Sequence, residues 1–214
     1  ILLTYCNSSK PAEMGVDEIR DSGIDSVAGN CDVTDPREVA LLATHPWVIA
    51  GVEVLVINHG RYDRVDAQEL DFEHLRRTMS TNFEGAFLVW DTIKNSLTDD
   101  ARICVIGSQL GTRGSPQGAD YSASKAALAV WARSLAQSFG TSQKRINIVA
   151  PGFVDTDILA GDSAEKRAAR IQEVPLKRIG TPDDIAGTVS FLVSEDSKYI
   201  TGTVIHVNGG LYLP

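Results

Sequence analysis

Short apolar runs alternate with longer amphipathic stretches along this 214-residue chain, and no other feature constrains its fold as strongly. Val52–Ile57 (VEVLVI) and residues 145–150 (RINIVA) are short and rich in β-branched residues, which is typical of strands buried in a parallel sheet. The stretches between such runs have the length and periodicity of helices. The alternation predicts an α/β fold, with a doubly wound parallel sheet and helices on both faces.

The predicted elements follow one another with short connections. Thr34-Asp35-Pro36 begins one helix, because Pro is favoured at the first helical position. Strands are predicted over residues 1–5, 52–57, 102–106, 145–150 and 203–207. A further short strand is predicted to end at residues 32–33. Predicted helices cover residues 10–20, 72–97, 121–139 and 181–193, besides the one that begins at Pro36.

The sequence contains no internal repeat, low-complexity tract or interdomain linker. We therefore expect residues 1–214 to form a single domain. Residues 155–175 differ from their surroundings, because they are polar, small or charged and lie between a strand and the last helix. This composition predicts a mobile lid over a ligand site.

Composition excludes several classes of function. The formal net charge is −8 and the basic residues are scattered, whereas a nucleic-acid surface needs clustered Lys and Arg. The sequence has no run of about 18 apolar residues, so no membrane span is predicted. It also does not open with a charged and then apolar leader, so nothing suggests export. Cys6, Cys31 and Cys104 lack metal-ligand spacing. We expect them to be buried, reduced thiols in a cytoplasmic protein that binds no metal.

Tyr121 and Lys125 are the first candidates for chemistry. They are spaced i, i+4 on a predicted helix, so they share one face and lie one turn apart. A neighbouring ammonium group favours the phenolate, and we expect the pKa of Tyr121 to fall below its usual value of about 10. Such a tyrosine can act as a general acid or base near neutral pH. The pair alone is a weak signal, because this spacing is common by chance.

Other polar residues strengthen that signal. Ser108 follows a predicted strand, and the carboxyl ends of parallel strands are where open α/β sheets bind ligands. Asn82 lies within a predicted helix, where Asn is a poor helix former and is either tolerated on the surface or kept for a polar contact. The turns Asn58-His59-Gly60 and Pro151-Gly152 also follow strands. All these groups are predicted to lie at one edge of the sheet.

The sequence resembles the short-chain dehydrogenase/reductase family over essentially its whole length, and within it the 3-oxoacyl-carrier-protein reductases. The resemblance implies a Rossmann-type fold and an oxidoreductase that passes hydride from a nicotinamide cofactor to a ketone or 3-oxoacyl substrate. The motifs that carry it are Asn58-His59-Gly60, Asn82, Ser108, Tyr121 with Lys125, APGFVDTD at residues 150–157, and the tail YITG…HVNGG at residues 199–210.

The resemblance also implies roles for individual residues. Tyr121 is the general acid, Lys125 lowers its pKa and binds the nicotinamide ribose, and Ser108 holds the substrate oxygen. Asn82 anchors a water molecule that relays protons to Lys125. The further cofactor contacts are Asp32 and Val33 at the adenine, Thr156 and the backbone around Val154 at the nicotinamide carboxamide or pyrophosphate, and Asn58, His59, Gly60, Pro151 and Gly152 in the turns. His59 is either such a contact or a tolerated loop residue, and not a metal ligand.

One departure from the family lies at the start of the sequence. The family begins with a strand, a Gly-rich turn and a helix, and these are absent here. The absent strand would lie between residues 1–5 and 52–57, so we expect the sequence to be incomplete at its N-terminus. The alternative function is a catalytically silent nucleotide-binding or scaffold protein, which the absent loop favours and the complete catalytic set opposes.

The turn that follows the first predicted strand, residues 1–5, indicates which cofactor is used. Members that prefer NAD place an acidic residue there to bind the ribose 2′-hydroxyl, but no acidic residue precedes Glu13. Ser8, Ser9 and Lys10 can instead donate hydrogen bonds to a 2′-phosphate, which favours NADP(H) over NAD(H). The alternative is that Ser8 or Ser9 only caps the helix that follows.

Asp99 and Asp100 bear on the partner. Carrier-protein reductases usually have basic residues in this neighbourhood, and these two carboxylates would repel an acidic carrier. An acyl carrier protein is therefore disfavoured, and we expect a small carbonyl or alcohol substrate. By the same resemblance we expect a homotetramer or homodimer, with Trp131 and Phe139 on a contact helix.

Overall fold

The computed structural model describes residues 1–214 and divides into two compact units. Unit 1 comprises Ile1–Val52 and Glu84–Leu97, and unit 2 comprises Glu53–Phe83 and Thr98–Pro214. The strands are β1 (Leu2–Tyr5), β2 (Val27–Asn30), β3 (Val52–Ile57), β4 (Leu97–Ile106), β5 (Arg145–Pro151) and β6 (Val204–Val207). The α-helices are α1 (Ser9–Asp21), α2 (Pro36–Leu42), α3 (Pro46–Ala50), α4 (Phe72–Met79), α5 (Gly85–Ile93), α6 (Leu110–Arg113), α7 (Ala119–Ser138), α8 (Ala164–Glu173) and α9 (Pro182–Leu192).

Unit 1 contains a two-stranded sheet in which β1 and β2 are parallel. Helix α1 packs against both strands. Helix α2 begins as the sequence predicts, with the Asp35 carboxylate accepting a hydrogen bond from the Arg37 amide and Pro36 at the first helical position. Helix α5 packs against α2. Its first residue is Gly85, where a Cβ atom would lie 2.7 Å from Val33 Cγ2.

Unit 2 is built on a four-stranded sheet of order β3-β4-β5-β6, in which β5 runs parallel to β4 and to β6. Helices α7 and α9 both pack against β5. Cys104, Val149 and Leu192 form a buried cluster between the sheet and α9. Strand β5 is buried along almost its whole length, as its apolar run predicts. Val54 and Val56 of β3 are 41% and 43% exposed, which corrects the prediction that Val52–Ile57 is a buried strand.

The register of the strands brings their carboxyl ends together. Ile106 pairs with Val149, and Pro151 pairs with Val207. The Gly107 amide donates to Val149 O and the Gln109 amide to Pro151 O, so the chain leaves β4 and β5 side by side. The turns that follow these strands therefore lie at one edge of the sheet, and that prediction is confirmed.

The region predicted as one helix over residues 72–97 is instead interrupted. Asn82 is fully buried, and its side chain is held by hydrogen bonds that the regular helical path would not satisfy. The last turn gives way at Leu97, whose buried side chain begins a strand longer than predicted. The observed order is α4, a π-helical turn Ser80–Glu84, α5, a 3₁₀ turn Lys94–Ser96 and then β4.

Smaller differences concern loops and cysteines. Helices α3 and α6 were not predicted, because four or five residues are too few to establish a helical period. Residues 155–175 hold α8 and a 3₁₀ turn, Asp157–Leu159, and the lid role of this segment stays a prediction. Cys6 is exposed, which corrects the prediction that all three thiols are buried. None of the helices has the length and apolar character needed to cross a membrane.

Candidate active site

Tyr121 and Lys125 lie in the first turns of α7 and face inward. Their residues are only 9% and 4% exposed, although both side chains end in polar groups. The helix follows Gly118, where a Cβ atom would lie 2.5 Å from Tyr62 Cε2. A side chain at this position would displace the Tyr62 ring. The Tyr62 ring lies 4.6 Å from the Tyr121 ring, centroid to centroid.

The pKa of Tyr121 moves in the direction opposite to the one predicted. Burial raises it to about 12, although a hydrogen bond with the Ser108 side chain lowers it. The neighbouring Tyr62 adds to the increase. The ammonium group of Lys125 lies 5.7 Å from the centre of the Tyr121 ring, and its charge does not overcome the cost of burying a phenolate. The prediction of a lowered tyrosine pKa is therefore wrong for this arrangement.

Lys125 is buried with little compensation for its charge. Its Nζ donates a hydrogen bond to Ile106 O at 2.8 Å, and no carboxylate contributes to its pKa. Burial lowers its pKa to about 8. The side chain reaches the last residue of β4, so the cation is held at the carboxyl edge of the sheet. A lysine that titrates near physiological pH can exchange protons during a reaction cycle.

Ser108 lies two residues beyond the end of β4 and lines the same cavity as Tyr121. Its Oγ accepts a hydrogen bond from the Leu110 amide at 3.1 Å, which orients the hydroxyl group. Through its hydrogen bond it lowers the pKa of Tyr121. Ser108 and Tyr121 therefore lie at one cavity at the carboxyl edge of the sheet, as the sequence predicts.

Asn82 connects α7 to the loop after β3. Its Oδ1 accepts from the Arg61 amide at 2.7 Å, and its Nδ2 donates to Arg61 O at 3.0 Å and to Ser124 Oγ at 2.9 Å. Ser124 in turn donates to Tyr121 O. Of the two interpretations of Asn82, the structure supports the polar contact. The amide side chain holds a loop and α7 in place, and the π-helical turn is what directs it inward.

The turn Asn58-His59-Gly60 borders the lysine. A Cβ atom at Gly60 would lie 3.4 Å from Lys125 Nζ and 3.7 Å from Asn82 Oδ1, so glycine keeps the space beside the ammonium group open. Burial and the positive charge of Lys125 lower the pKa of His59 to about 4. The His59 ring is therefore neutral at physiological pH, and its buried Nε2 has no hydrogen-bond partner.

The second turn follows β5. The Gly152 amide donates to Val207 O at 3.0 Å. A Cβ atom at Gly152 would lie 2.8 Å from Asn208 Cα, so these two segments of the backbone pass too closely for a residue with a side chain. Val154 forms a parallel bridge with Gly180. Thr156 is exposed, and its Oγ1 donates to Val154 O at 3.4 Å. The backbone of this turn is thus fixed, while the Thr156 side chain remains accessible.

Most of these groups line one cavity of about 1040 Å³, but Asn82 and His59 do not. Its size matches that of a ligand site, and its lining brings most of the predicted catalytic and cofactor residues of unit 2 together. The open space that Gly60 leaves beside Lys125 is where the resemblance places a nicotinamide ribose, so the residues fit that half of the cofactor. The predicted residues that line the cavity are Asn58, Gly60, Ser108, Tyr121, Lys125, Pro151, Gly152, Val154 and Thr156.

The residues predicted at the other end of the cofactor belong to unit 1. Ser8 is the N-cap residue of α1, but its side chain makes no capping hydrogen bond, which removes the simpler explanation for this serine. Ser9 is exposed in the first turn of the same helix. Asp32 accepts hydrogen bonds from the amide and the hydroxyl of Thr34. Val33 packs against Gly85. Their contacts with a cofactor stay predictions.

The sequence analysis missed a group of charged residues at the same cavity. Asp162 is buried and pairs with Arg64 Nη1 and Arg170 Nε, each at 2.6 Å, and with Lys166 Nζ at 3.4 Å. Burial alone would raise the pKa of Asp162, but hydrogen bonds from Arg170 and Arg64 lower it to about 2. Arg64 is 98 positions away in sequence, so no local pattern signals this cluster.

Comparison with known proteins supports this arrangement. A family model described as enoyl-(acyl carrier protein) reductase matches residues 1–212. The 3-oxoacyl-[acyl-carrier-protein] reductase MabA of Mycobacterium tuberculosis is 38% identical over 184 residues, covering 85% of this chain and 74% of that protein. The 3-oxoacyl-[acyl-carrier-protein] reductase FabG of Staphylococcus aureus is 34% identical, covering 100% of this chain and 88% of that protein.

Solved structures agree with the sequence comparisons. A dehydrogenase/reductase from Sinorhizobium meliloti matches 99% of this chain and 84% of its own with a TM-score of 0.92 and 31% identity. A blue fluorescent protein from a metagenomic library, solved in complex with NADPH, matches 100% of this chain and 87% of its own with a TM-score of 0.91 and 33% identity. The chain belongs to the short-chain dehydrogenase/reductase family of NAD(P)-dependent oxidoreductases, which act on C=O and CH–OH groups.

Proposed function

We propose that this protein reduces a ketone or 3-oxoacyl group with NADPH, with Tyr121 as the general acid. One observation carries the proposal: the side chains of Ser108, Tyr121 and Lys125 converge on the wall of one cavity at the carboxyl edge of the sheet. A hydroxyl donor, a second hydroxyl group and a buried cation are what carbonyl reduction needs to protonate the oxygen and stabilise its developing charge.

The protein residues manage the proton in this reaction. A nicotinamide cofactor held beside Lys125 would supply a hydride to the carbonyl carbon, and the carbonyl oxygen would then keep the electron pair of the π bond. Ser108 Oγ holds that oxygen, and Tyr121 Oη donates the proton that completes the alcohol. With its pKa raised to about 12, Tyr121 carries this proton at physiological pH. Lys125, whose pKa is lowered to about 8, stabilises the tyrosinate formed and returns a proton to it.

Asn82 supports the same proton transfer. Its amide fixes the Arg61 backbone beside the space left by Gly60, next to Lys125 Nζ. We assign to it the anchoring of a water molecule that reprotonates Lys125. The polar contacts of Asn82 with the loop and with Ser124 support this role, because they hold its buried side chain in one orientation.

NADPH is the preferred cofactor in this proposal. Ser8, Ser9 and Lys10 offer hydroxyl and ammonium donors for a 2′-phosphate, and all three are exposed. The absence of a capping hydrogen bond from Ser8 leaves its hydroxyl group available. The related metagenomic protein that was solved with NADPH agrees with this choice.

The proposed substrate is a ketone or a 3-oxoacyl compound. The names of the curated relatives favour a 3-oxoacyl group on an acyl carrier protein. Asp99 and Asp100 oppose an acidic carrier, although each lies 3.6 Å from a basic partner, Lys144 and Arg102 respectively. We therefore propose that the acyl or keto group, and not the carrier, is what the site recognises.

A paired assay tests the proposal. The purified protein is titrated with NADPH and NADH by fluorescence, and its reduction of simple ketones and 3-oxoacyl thioesters is followed by loss of nicotinamide absorbance. We expect tighter binding of NADPH and a loss of about 10³-fold in kcat/KM for Tyr121→Phe, with cofactor affinity preserved. Undiminished reduction by Tyr121→Phe would overturn the mechanism, and the absence of any nicotinamide binding would favour a silent scaffold.

A further inference from the structure

Positive charge is concentrated at the cavity that contains Tyr121. Besides Lys125, its lining includes Arg64, Arg113, Lys166 and Arg170, whereas Asp66 is its single acidic residue. The chain as a whole has the opposite balance, with 28 acidic and 20 basic residues. The charge of the cavity lining is therefore positive, whereas the net charge of the whole chain is negative. Such a lining attracts an anionic ligand.

Asp162 accounts for only part of this charge. It is one carboxylate surrounded by three cations, and its side chain is fully buried behind them. Two nearby acidic residues are already paired elsewhere: Asp63 with Arg61 at 2.6 Å, and Asp155 with Arg167 at 2.8 Å. About two positive charges of the cluster are therefore not neutralised by ion pairs with the protein.

Two arginines that line the cavity, Arg170 of the cluster and Arg113 outside it, have donors to spare. Arg170 contacts Asp162 through Nε, and its guanidinium carbon lies 4.2 Å from the centre of the Phe153 ring. Its two terminal nitrogens make no hydrogen bond with the protein, so they remain as a fork of donors. Arg113 is the last residue of α6, and its amide donates to Gln109 O at 2.9 Å, whereas its guanidinium group has no hydrogen bond or ion pair. These groups match the geometry of a carboxylate or phosphate.

The cluster lies near enough to the catalytic tyrosine to act on the same molecule. Tyr62 separates them: its ring centre is 4.6 Å from that of Tyr121 and 5.9 Å from the guanidinium carbon of Arg64. Arg64 is thus one aromatic ring away from the proposed acid. A molecule whose carbonyl oxygen meets Tyr121 can place a second group at the arginines without leaving the cavity.

We infer that the substrate carries an anionic group, a carboxylate or a phosphate, which Arg64, Arg113 and Arg170 bind while Tyr121 acts on its carbonyl oxygen. The inference rests on the proposed function and adds the substrate class to it. A bidentate guanidinium contact fixes the anion and thereby orients the carbonyl group toward Ser108 and Tyr121.

Matched substrates test the inference. Reduction of 4-oxopentanoate is compared with that of its uncharged methyl ester, and with the phosphate analogue 4-oxopentyl phosphate. We expect KM for at least one anion to be about tenfold or more below that of the ester, since hydrogen bonds to charged groups are strong. The anion with the lower KM identifies the group. Added salt should raise KM for the anions and leave the ester unchanged.

Variants separate binding from structure. Arg113→Gln, which breaks no contact, should raise KM for the preferred anion about fivefold without changing kcat, and Arg170→Gln should do so about tenfold. Arg133→Gln is the control, because Arg133 is exposed on α7, does not line the cavity and carries the same charge change. Asp162→Asn keeps all the cations, so KM for the anion should stay equal or fall.

The outcomes are distinguishable from failure of the proposed function. If neither the ester nor an anion is reduced, or if Tyr121→Phe reduces both normally, the proposed function itself fails. If the ester and both anions are reduced with equal KM, the inference about the anion is wrong while the reductase remains. It is also wrong if Arg113→Gln raises KM for the ester as much as for the anion, or no more than Arg133→Gln does.

Discussion

Two buried ions at one cavity differ in how their charge is compensated. Lys125 has a single carbonyl partner, and burial lowers its pKa to about 8. Asp162 is also buried, yet hydrogen bonds and charges from Arg170 and Arg64 lower its pKa to about 2, and Lys166 lies beside it as a third cation. The difference shows that burial alone does not decide protonation. The lysine is held close to losing its charge, whereas the aspartate is fixed as an anion.

The two ions are therefore suited to different roles. A group that titrates near physiological pH can move protons, and its unpaired charge costs stability. A fully paired ion cannot move protons under those conditions, but it can hold segments together. Asp162 joins α8, through Arg170, to the loop after β3, through Arg64. Substitutions should therefore separate catalysis from stability at these two positions.

The largest effect is expected for Lys125→Met. It removes the cation that stabilises the tyrosinate, so kcat/KM for ketone reduction should fall by about 10³-fold. Because the substitution also removes a poorly compensated buried charge, the thermal midpoint should be unchanged or higher. Steady-state kinetics and calorimetry on the same sample check both parts. A variant that loses stability and activity together would show that Lys125 is mainly structural.

Asp162→Ala should show the opposite pattern. It leaves three cations without their common partner, and we expect a loss of about 2–3 kcal/mol in the free energy of unfolding, measured in urea. Cleavage by protease within residues 157–173 should accelerate. The control is Asp63→Ala, whose partner Arg61 lies at the same 2.6 Å but on the surface. That exposed pair should contribute about 0.5 kcal/mol or less. Equal losses in both variants would contradict the comparison.

The sequence predicted one of these two regions far better than the other. Tyr121, Lys125 and Ser108 follow from spacing and from the ends of strands, which are local features, and the structure brings them together. The direction of the Tyr121 pKa shift was wrong, because spacing reveals a neighbouring charge but not the burial that outweighs it. The Asp162 cluster joins residues 98 positions apart, so only the folded chain reveals it.

The helical prediction over residues 72–97 failed for a related reason. Its composition satisfies a helical period, but the period does not reveal that Asn82 must reach the Arg61 backbone and Ser124. Those tertiary hydrogen bonds outweigh local propensity and produce the π-helical turn. The unusual residue itself was the available signal: an Asn within a helical pattern indicated a polar contact, although not its partners.

The pH dependence should carry the signature of Lys125. As the pH rises through about 8, the lysine loses its proton, so kcat/KM for reduction should fall about tenfold per pH unit. Tyr121, with a pKa of about 12, adds no change in that range. His59 is neutral above about pH 4, so His59→Asn should leave the position of this decline unchanged.

Stability should change in the opposite sense over the same range. The pKa of Lys125 is about 8 in the folded chain and 10.5 when unperturbed, so between these values the unfolded chain binds more protons. Between pH 8 and 9 the free energy of unfolding should therefore rise, by up to about 1.4 kcal/mol. Above pH 9 the Cys104 thiol opposes the lysine, because burial raises its pKa from 9.0 to about 12. Lys125→Met should abolish the rise between pH 8 and 9, and stability that falls over this interval in the parent chain would contradict the buried, poorly compensated lysine.

The smallest effect concerns the outermost member of the Asp162 cluster. Lys166 lies 3.4 Å from Asp162, four positions along the chain, and its side chain is 46% exposed. Water and salt screen such a pair, so Lys166→Ala should cost about 0.5 kcal/mol or less in low salt and nothing measurable in high salt. Urea unfolding at two salt concentrations checks this. A loss comparable to that of Asp162→Ala would mean that the aspartate is held by the lysine, and that the two arginines do not dominate its ionisation.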